Sequence, residues 1–364
     1  MGGANYVRHL AAAVRAAAPE MQVSFICGSS LREDWRDVEP FVSVPTRPSL
    51  WQRALGGRAH LRRALERRGI DFVYPVTYDN DYNLGMRFPI AGQLGAVPWA
   101  GWIPDFQHRY LPELFSPEER RRRDTQMAAL AAEEHAVVLS SESAALDFRA
   151  IFPEHASRAA VLTFATTPFD PPTNDDVGAG APERFLLVCN QFWKHKNHLV
   201  VFDALRLLRA RGMKPIVLCT GKLDDYRDRT FAETIKAALK NDDLHEQVQL
   251  LGLIPRARQI ALMRRAIAII QPSLFEGWST VVEDARALGR PCLLSDLAVH
   301  REQSPPRAEF FPPREPEALA ELIAQAWEHW PAGPDCESEA VARARAEVRL
   351  AEVGHRFLQI ACAA

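Results

Sequence analysis

Residues 272–291 read PSLFEGWSTVVEDARALGRP and follow the apolar run AIAIIQP at 266–272. That run predicts a strand, Glu276-Gly277-Trp278-Ser279-Thr280 a loop, and 281–289 a helix. Strand, loop and helix in this order are the repeating unit of a parallel sheet covered on both faces. Ligands of such sheets bind outside the carboxyl ends of the strands, which places this loop at a candidate site. A helix opening at Ser279–Val281 aims backbone N–H groups at an anion, and the helix dipole adds to the attraction. Glu276 in the loop and Asp284 on the first helical turns can face one crevice. Amides for phosphate beside carboxylates for hydroxyls suit a ligand carrying both a diphosphate and a sugar. Acidic residues are also common in first turns with no ligand at all, so the pair alone fixes no function.

The same alternation extends outward in both directions. Strand candidates in the first half are 22–27, 41–45, 70–77, 99–104, 135–140 and 159–165. In the second half they are 185–190, 215–220, 247–252, 266–272 and 291–295. Helical patterns fill 51–68, 118–134, 198–211, 228–240, 256–265 and 281–289. The rhythm breaks at PFDPPTNDDVGAGAPE, dense in Pro, Gly, Asp and Asn, which reads as a linker. The expected organisation is a domain at 1–168, a linker at 169–183, a second domain at 184–335 and a long helix at 336–364. That final helix can pack on either domain. The fold class is α/β, with two Rossmann-like parallel-sheet domains.

At 364 residues the chain is too long for one ordinary core, in keeping with two domains. A formal net charge of -2 argues against nucleic-acid binding. No apolar run approaches the ~20 residues that span a bilayer. The Ala-rich start is interrupted by Arg8, His9 and Arg15 and reads as an amphipathic helix, so a cytoplasmic location is expected. Cys27, Cys189, Cys219 and Cys292 sit in apolar strand-like runs, and no CxxC pair or metal-ligand spacing occurs among the cysteines. All six cysteines are expected to be reduced.

Three further stretches carry chemistry. CNQFWKHKNH at 189–198 follows the first strand of the second half, where a Lys can meet phosphate as a point charge; Gln191, Lys194 and Lys196 lie on it. A solvated basic loop with Asn197 capping a helix is the alternative. WAGWIPDFQHRYLPE at 99–113 groups Asp105, Gln107, His108 and Arg109 at a strand end. Gly2-Gly3 offers a turn where a backbone can approach a phosphate. Tyr78-Asp79-Asn80-Asp81 resembles a metal-binding DxD, but turns are rich in Asp and Asn, and no metal site is assigned. The Arg runs at 62–63, 67–68 and 120–123 read as solvated helix faces with a weak attraction to anionic membrane surfaces. No GxSxG, HExxH, Walker or GxGxxG pattern is present.

EGWSTVVEDARALGRP resembles the signature of family 4 glycosyltransferases (glycosyl transferases group 1), acid-Gly-aromatic and then acid-Ala-x-Ala-x-Gly-x-Pro. Glu276 matches the first acid, Asp284 the second (usually Glu in the family), and Gly289 and Pro291 the closing turn. Lys196 matches the family's diphosphate-gripping Lys, while Gln191 stands where the family has Arg and Lys194 is a candidate substitute. The resemblance implies a GT-B fold, two Rossmann-like domains facing a central cleft. It implies retaining, metal-independent transfer of a sugar from a nucleotide-diphosphate donor to an acceptor hydroxyl, with no cofactor besides that co-substrate. Glu276 would contact the donor sugar and Asp284 the ribose, while Gly277, Trp278 and the amides of Ser279, Thr280 and Val281 surround the diphosphate and sugar. Glu283 is the alternative second acid. His108 or Asp105 would lie near the sugar, and Gly3 would belong to an N-terminal Gly-Gly loop. WIPDFQH, LPE and Arg123-Asp124 together resemble a bacterial branch, which implies polysaccharide or lipopolysaccharide assembly. The acceptor would then be a glycan or lipid-linked glycan at the inner face of the membrane. A non-catalytic nucleotide-sugar-binding subunit, a sugar-nucleotide epimerase and a dinucleotide oxidoreductase are the competing readings.

Overall fold

The structure, a computed structural model, describes residues 2–28, 41–44, 58–77, 92, 94–169, 181–225 and 227–363. Tyr78–Asp81 and most of the 169–183 linker lie outside the described residues, as does the 51–57 part of the first expected helix. The chain divides into two units, Met1–Ala165 with Val348–Ala364, and Thr166–Glu347.

In the first unit, β1 (Phe25–Gly28) and β2 (Phe41–Val44) pair in parallel. A second parallel sheet takes β3 (Val73–Val76), β4 (Trp99–Ile103), β5 (Val137–Leu139) and β6 (Ala159–Val161), in that order. The WAGWI strand β4 is buried along its whole length, as expected of a strand with helices on both sides. Gly101 on β4 allows helix Pro117–Ala132 to approach, since a Cβ there would lie 2.8 Å from Leu130. That helix starts where its chemistry says it should: Ser116 accepts from the Glu119 amide and Pro117 occupies the first helical position. Ser141 caps helix Glu142–Ile151 in the same way.

The second unit holds six parallel strands: β7 (Leu186–Cys189), β8 (Val217–Thr220), β9 (Val248–Gly252), β10 (Ile269–Gln271), β11 (Cys292–Ser295) and β12 (Ala308–Phe311). Their spatial order is β12-β11-β10-β7-β8-β9. Residues of β7, β8, β10 and β11 are buried on both faces, between helices that include His198–Ala210 and Pro316–His329 on one side and Arg256–Arg265 and Thr280–Ala287 on the other.

Three expectations differ from what the chain does. Strand β12 was not expected: it is a short edge strand in which Glu309 is exposed, Ala308 and Phe310 are half-buried and Phe311 alone is buried, so its sequence AEFF has no continuous apolar run. The boundary expected at 335 falls instead inside helix Cys336–Ala363, whose residues through Glu347 group with the second unit. Arg264 grips Glu339 with two hydrogen bonds (3.0 and 2.8 Å), and the Ser338 carbonyl packs on Gly289, where a Cβ would sit 2.6 Å away. From Val348 onward the helix packs within the first unit, with Gly354 against Ala13 and Phe357 edge-on to Phe72 and Tyr74. Finally, Gly2 and Gly3 lie inside the first turn of helix Gly2–Ala17 and form no separate turn before it. The five cysteines whose side chains are described are free, and among the described residues no helix is long and apolar enough to cross a membrane.

Candidate functional site

Numbered within the second unit, the strand order is 6-5-4-1-2-3, the doubly wound order, and the winding reverses between β7 and β10. The crevice outside the carboxyl ends of those two strands is where such sheets bind ligands. The two loops leaving it are 190–197 and 272–279, the two stretches singled out from sequence.

The loops are joined by a buried polar network. Asn190 at the end of β7 donates to the Gln271 side-chain oxygen at the end of β10 (2.9 Å). Gln271 in turn donates to Glu276 Oε1 (2.7 Å), as do Ser273 Oγ (2.6 Å) and Lys196 Nζ (2.6 Å). The Lys196 and Glu276 side chains are 16% and 8% exposed, so this is a sheltered ion pair and not a surface one. All three donors converge on Oε1. No partner within the protein is recorded for Oε2 among the described residues. Burial pushes the Glu276 carboxyl up, but the Lys196 charge, His300 and the hydrogen bonds outweigh it and hold the group below the ordinary Glu value.

Asn197 fixes how the first loop meets the second. It adopts the left-handed region (φ 55°), which Asn tolerates, and its side chain donates to the Pro272 and Pro313 carbonyls (3.0 and 2.7 Å). It opens helix His198–Ala210 without a side-chain capping bond. The Leu274 amide donates to the His195 carbonyl (2.8 Å), a further tie between the loops.

Gln191 and Lys194 are turned toward the loop after β8. Gln191 accepts from the Lys222 amide (2.8 Å), and exposed Lys194 lies 3.7 Å from Asp228. Gly221 allows this approach: its φ is +118°, and a Cβ would stand 2.1 Å from the Asn190 carbonyl oxygen. Replacing Gly221 with Ala is expected to push the 190–197 loop away and to lower Tm. A thermal melt checks this, and a wild-type Tm would refute the dependence on that approach.

Helix Thr280–Ala287 opens at Ser279, whose hydroxyl accepts from the Val282 amide (3.4 Å). The Ser279 amide is occupied by Gln303 Oε1 (3.2 Å). This leaves the Thr280 and Val281 amides, for which no acceptor is recorded among the described residues, as first-turn donors of the kind that an anion can meet. Trp278 is buried beside them, with Gly277 preceding it. Asp284 is buried and takes Arg256 on both oxygens (2.7 and 2.6 Å) with Thr166 as a third donor (3.0 Å). Glu283 accepts from Gln303 (3.0 Å) and lies 3.5 Å from Arg286.

In the first unit, Asp105 caps its own turn by accepting from the Gln107 amide (2.9 Å). His108 is buried, with Nε2 3.0 Å from Asp124, which also pairs with Arg109 (2.8 Å). Burial is the largest influence on His108 and lowers its pKa.

Sequence reasoning missed Gln271, Arg256, His300 and Gln303. Gln271 ends a strand whose other residues are apolar, which was a usable signal. His300 donates through Nδ1 to the Ser295 carbonyl (2.8 Å), Ser295 Oγ donates to the Ser273 carbonyl (2.7 Å), and the Glu276 loop is thereby braced from β11.

A doubly wound unit presenting a Lys–Glu pair and a helix amino terminus at its switch point is an arrangement that can hold a phosphate-bearing ligand. Residues 173–344 match the family model Glycosyl transferases group 1. That segment is similar to the group 1 glycosyl transferases, and the fold is that of the GT-B glycosyltransferases. A segment of 106 residues is 29% identical to "Putative glycosyltransferase EpsF" of Bacillus subtilis (strain 168), covering 29% of this chain and 26% of that protein. A glycosyltransferase from Rickettsia africae ESF-5 superposes with a TM-score of 0.68 at 13% identity, over 97% of this chain and 93% of that one. Anabaena Alr3699/HepE, solved in complex with UDP and glucose, gives 0.65 at 15% identity, over 98% and 96%.

Proposed function

We propose that the chain is a retaining, metal-independent glycosyltransferase that moves a sugar from a nucleotide-diphosphate donor to an acceptor hydroxyl. The observation that carries this reading is the Lys196–Glu276 pair at the switch point, with Glu276 anchored through Oε1 alone among the described residues. The second oxygen is then an acceptor for a donor-sugar hydroxyl, and Lys196 with the Thr280 and Val281 amides faces the diphosphate. In transfer the bond from the anomeric carbon to the phosphate oxygen breaks, and a bond to the acceptor oxygen forms on the same face. The acceptor proton passes to the departing phosphate. Fixed donors at the developing diphosphate charge supply the main stabilisation, which is the support for chemistry without a metal or other cofactor. The proposed donor contacts are Gly277, Trp278, Ser279, Thr280, Val281 and Lys196. Gln191 and Lys194 contribute through the loop they brace, and His108 and Asp105 are the first unit's candidates. HepE's complex with UDP and glucose supports a nucleotide-sugar donor. Polysaccharide or lipopolysaccharide assembly, with a glycan or lipid-linked glycan acceptor at the inner face of the membrane, is proposed on the resemblance of WIPDFQH, LPE and Arg123-Asp124 to a bacterial branch of the family.

Replacing Lys196 with Ala is expected to weaken nucleoside-diphosphate affinity by about 1.5–3 kcal/mol, the worth of a charged hydrogen bond. Calorimetric titration of the full chain tests it. Unchanged affinity would remove Lys196 from the phosphate site.

A further inference from the structure

Lys196 stands on very little local structure. It closes the single 3₁₀ turn Lys194–Lys196, in which the Lys196 and Asn197 amides donate to the Trp193 and Lys194 carbonyls (2.8 and 3.2 Å). A turn this short does not fix its own orientation, so the direction of the Lys196 amine is decided by what grips the turn from outside. On the β10 side that grip is the Leu274 amide on the His195 carbonyl. On the other side it is the loop after β8, through Asp225 and Arg227.

Asp225 is buried and uses both of its oxygens. Oδ2 accepts from the Lys194 amide (2.8 Å), and Oδ1 accepts from the Arg227 amide (3.1 Å) and Arg227 Nε (3.4 Å). The Arg227 side chain is 7% exposed, donates to His195 Nδ1 (2.9 Å) and lies 5.5 Å over the Trp193 ring. A guanidinium only donates, so His195 is fixed as the neutral tautomer with its proton on Nε2. One buried ion pair thus holds the first amide of the turn, the side chain of its middle residue and the ring before it. The clamp is anchored in turn. The Asp228 amide donates to the Asp225 carbonyl (3.1 Å), and Asp228 accepts from the Thr230 amide and hydroxyl (3.1 and 2.6 Å). Helix Phe231–Asn241 follows, with Phe231, Ile235 and Leu239 in the core.

Burying an ion pair gains little stability, because desolvation offsets the attraction; what it can supply is one specified arrangement. Charges balance across the clamp and the site, with Arg227 against Asp225, Lys196 against Glu276 and neutral His195 between them. We infer that Asp225 and Arg227 are positioning residues for Lys196: they hold the 194–196 turn in the orientation that sets its amine beside Glu276 and toward the donor diphosphate. This rests on the nucleotide-sugar reading of the site. Arg227 acts through His195 and the turn and does not itself meet the ligand.

The test is calorimetric titration of the full-length protein with UDP, GDP and dTDP. The proteins are wild type, Lys196→Ala, the paired substitution Asp225→Asn with Arg227→Gln, and the three changes together. The pair leaves no charge buried, and its Tm checks the fold. Arg227→Lys, alone and with Lys196→Ala, is the milder second variant: it keeps a charge for Asp225, but a point donor cannot also serve His195. The pair is expected to weaken the preferred nucleoside diphosphate roughly fivefold or more, and Arg227→Lys about threefold. On the Lys196→Ala background either change is expected to alter affinity less than about twofold, because residues acting through Lys196 have nothing more to lose. A merely structural role would lower Tm and leave the affinity of the folded protein untouched, so wild-type affinity in these variants would overturn the inference alone. Losses that multiply on the Lys196→Ala background would overturn it too, by making the clamp independent of Lys196. If wild type binds none of the nucleoside diphosphates, or Lys196→Ala binds as wild type does, the donor reading itself fails and takes this inference with it.

Discussion

Glu276→Gln is expected to lower sugar transfer about a thousandfold, or about 4 kcal/mol of transition-state stabilisation, while leaving nucleoside-diphosphate affinity unchanged or tighter. The substitution keeps the size of the side chain but removes its charge. The amide cannot accept from Lys196, Gln271 and Ser273 as the carboxylate does and also present an acceptor at the second oxygen. In the proposed mechanism a donor-sugar hydroxyl thus loses its acceptor, and Lys196, freed of its counter-charge, is the more available to phosphate. Glu276→Ala should lose as much activity and also destabilise the unit, by about 3–5 kcal/mol, because it leaves a sheltered lysine unpaired. Steady-state kinetics beside calorimetric binding separates the two effects. Wild-type turnover in Glu276→Gln would remove Glu276 from the chemistry, and loss of binding without loss of turnover would reverse its role.

The second large effect is acid sensitivity of the same unit. Burial lowers the pKa of His195 well below the ordinary value, with Lys196 and Arg227 adding to it, and brings His198 down to about 3. His300 is lowered in the same direction, again chiefly by burial. All three stay neutral in the fold at pH values where the unfolded chain, with its ordinary histidines near 6.5, takes up protons. The stabilising difference is therefore complete above about pH 6.5 and is lost as the pH falls from there toward each folded-state value. Each such histidine costs about 1.4 kcal/mol per pH unit below 6.5. His198 alone should cost about 2 kcal/mol between pH 7 and 5, with His195 adding in the same direction, a sizeable share of the 5–15 kcal/mol that holds a typical domain. A Tm series across that range checks the slope. His198→Phe, which keeps a ring against Phe192 (4.0 Å for the native pair), should flatten the slope by about one proton. A Tm that is level from pH 7.5 to 5 would contradict the burial of these rings as neutral groups.

The parts of this structure legible in the sequence were those governed by local pattern. Continuous apolar runs such as LLVC and CLLS are buried strands because both faces of a parallel strand are covered. The two loops at 190–197 and 272–279 were legible as candidates because each follows such a strand. What brings them together is strand order, with β10 beside β7, and order is a property of the whole sheet that no local stretch encodes. For the same reason the Lys196–Glu276 contact, eighty residues apart in sequence, could be expected only through family resemblance. The partners of Asp284 were not legible at all: Arg256 and Thr166 arrive from distant segments, and neither sits in a recognisable motif. The same holds for the tail, where Gly289 and Glu339 tie the first half of the long helix to the second unit. A helix periodicity without a following strand says nothing about which unit it joins.

The most direct test of a donor site at the carboxyl ends of β7 and β10 is calorimetric titration of the intact chain with UDP, GDP and dTDP in the presence of a chelator. It is run on wild type and on Lys196→Ala side by side. Saturable binding of one nucleoside diphosphate to wild type, weakened about tenfold or more by the substitution, is the result expected of this site. Absence of binding by wild type, or equal affinity in the two proteins, would contradict it.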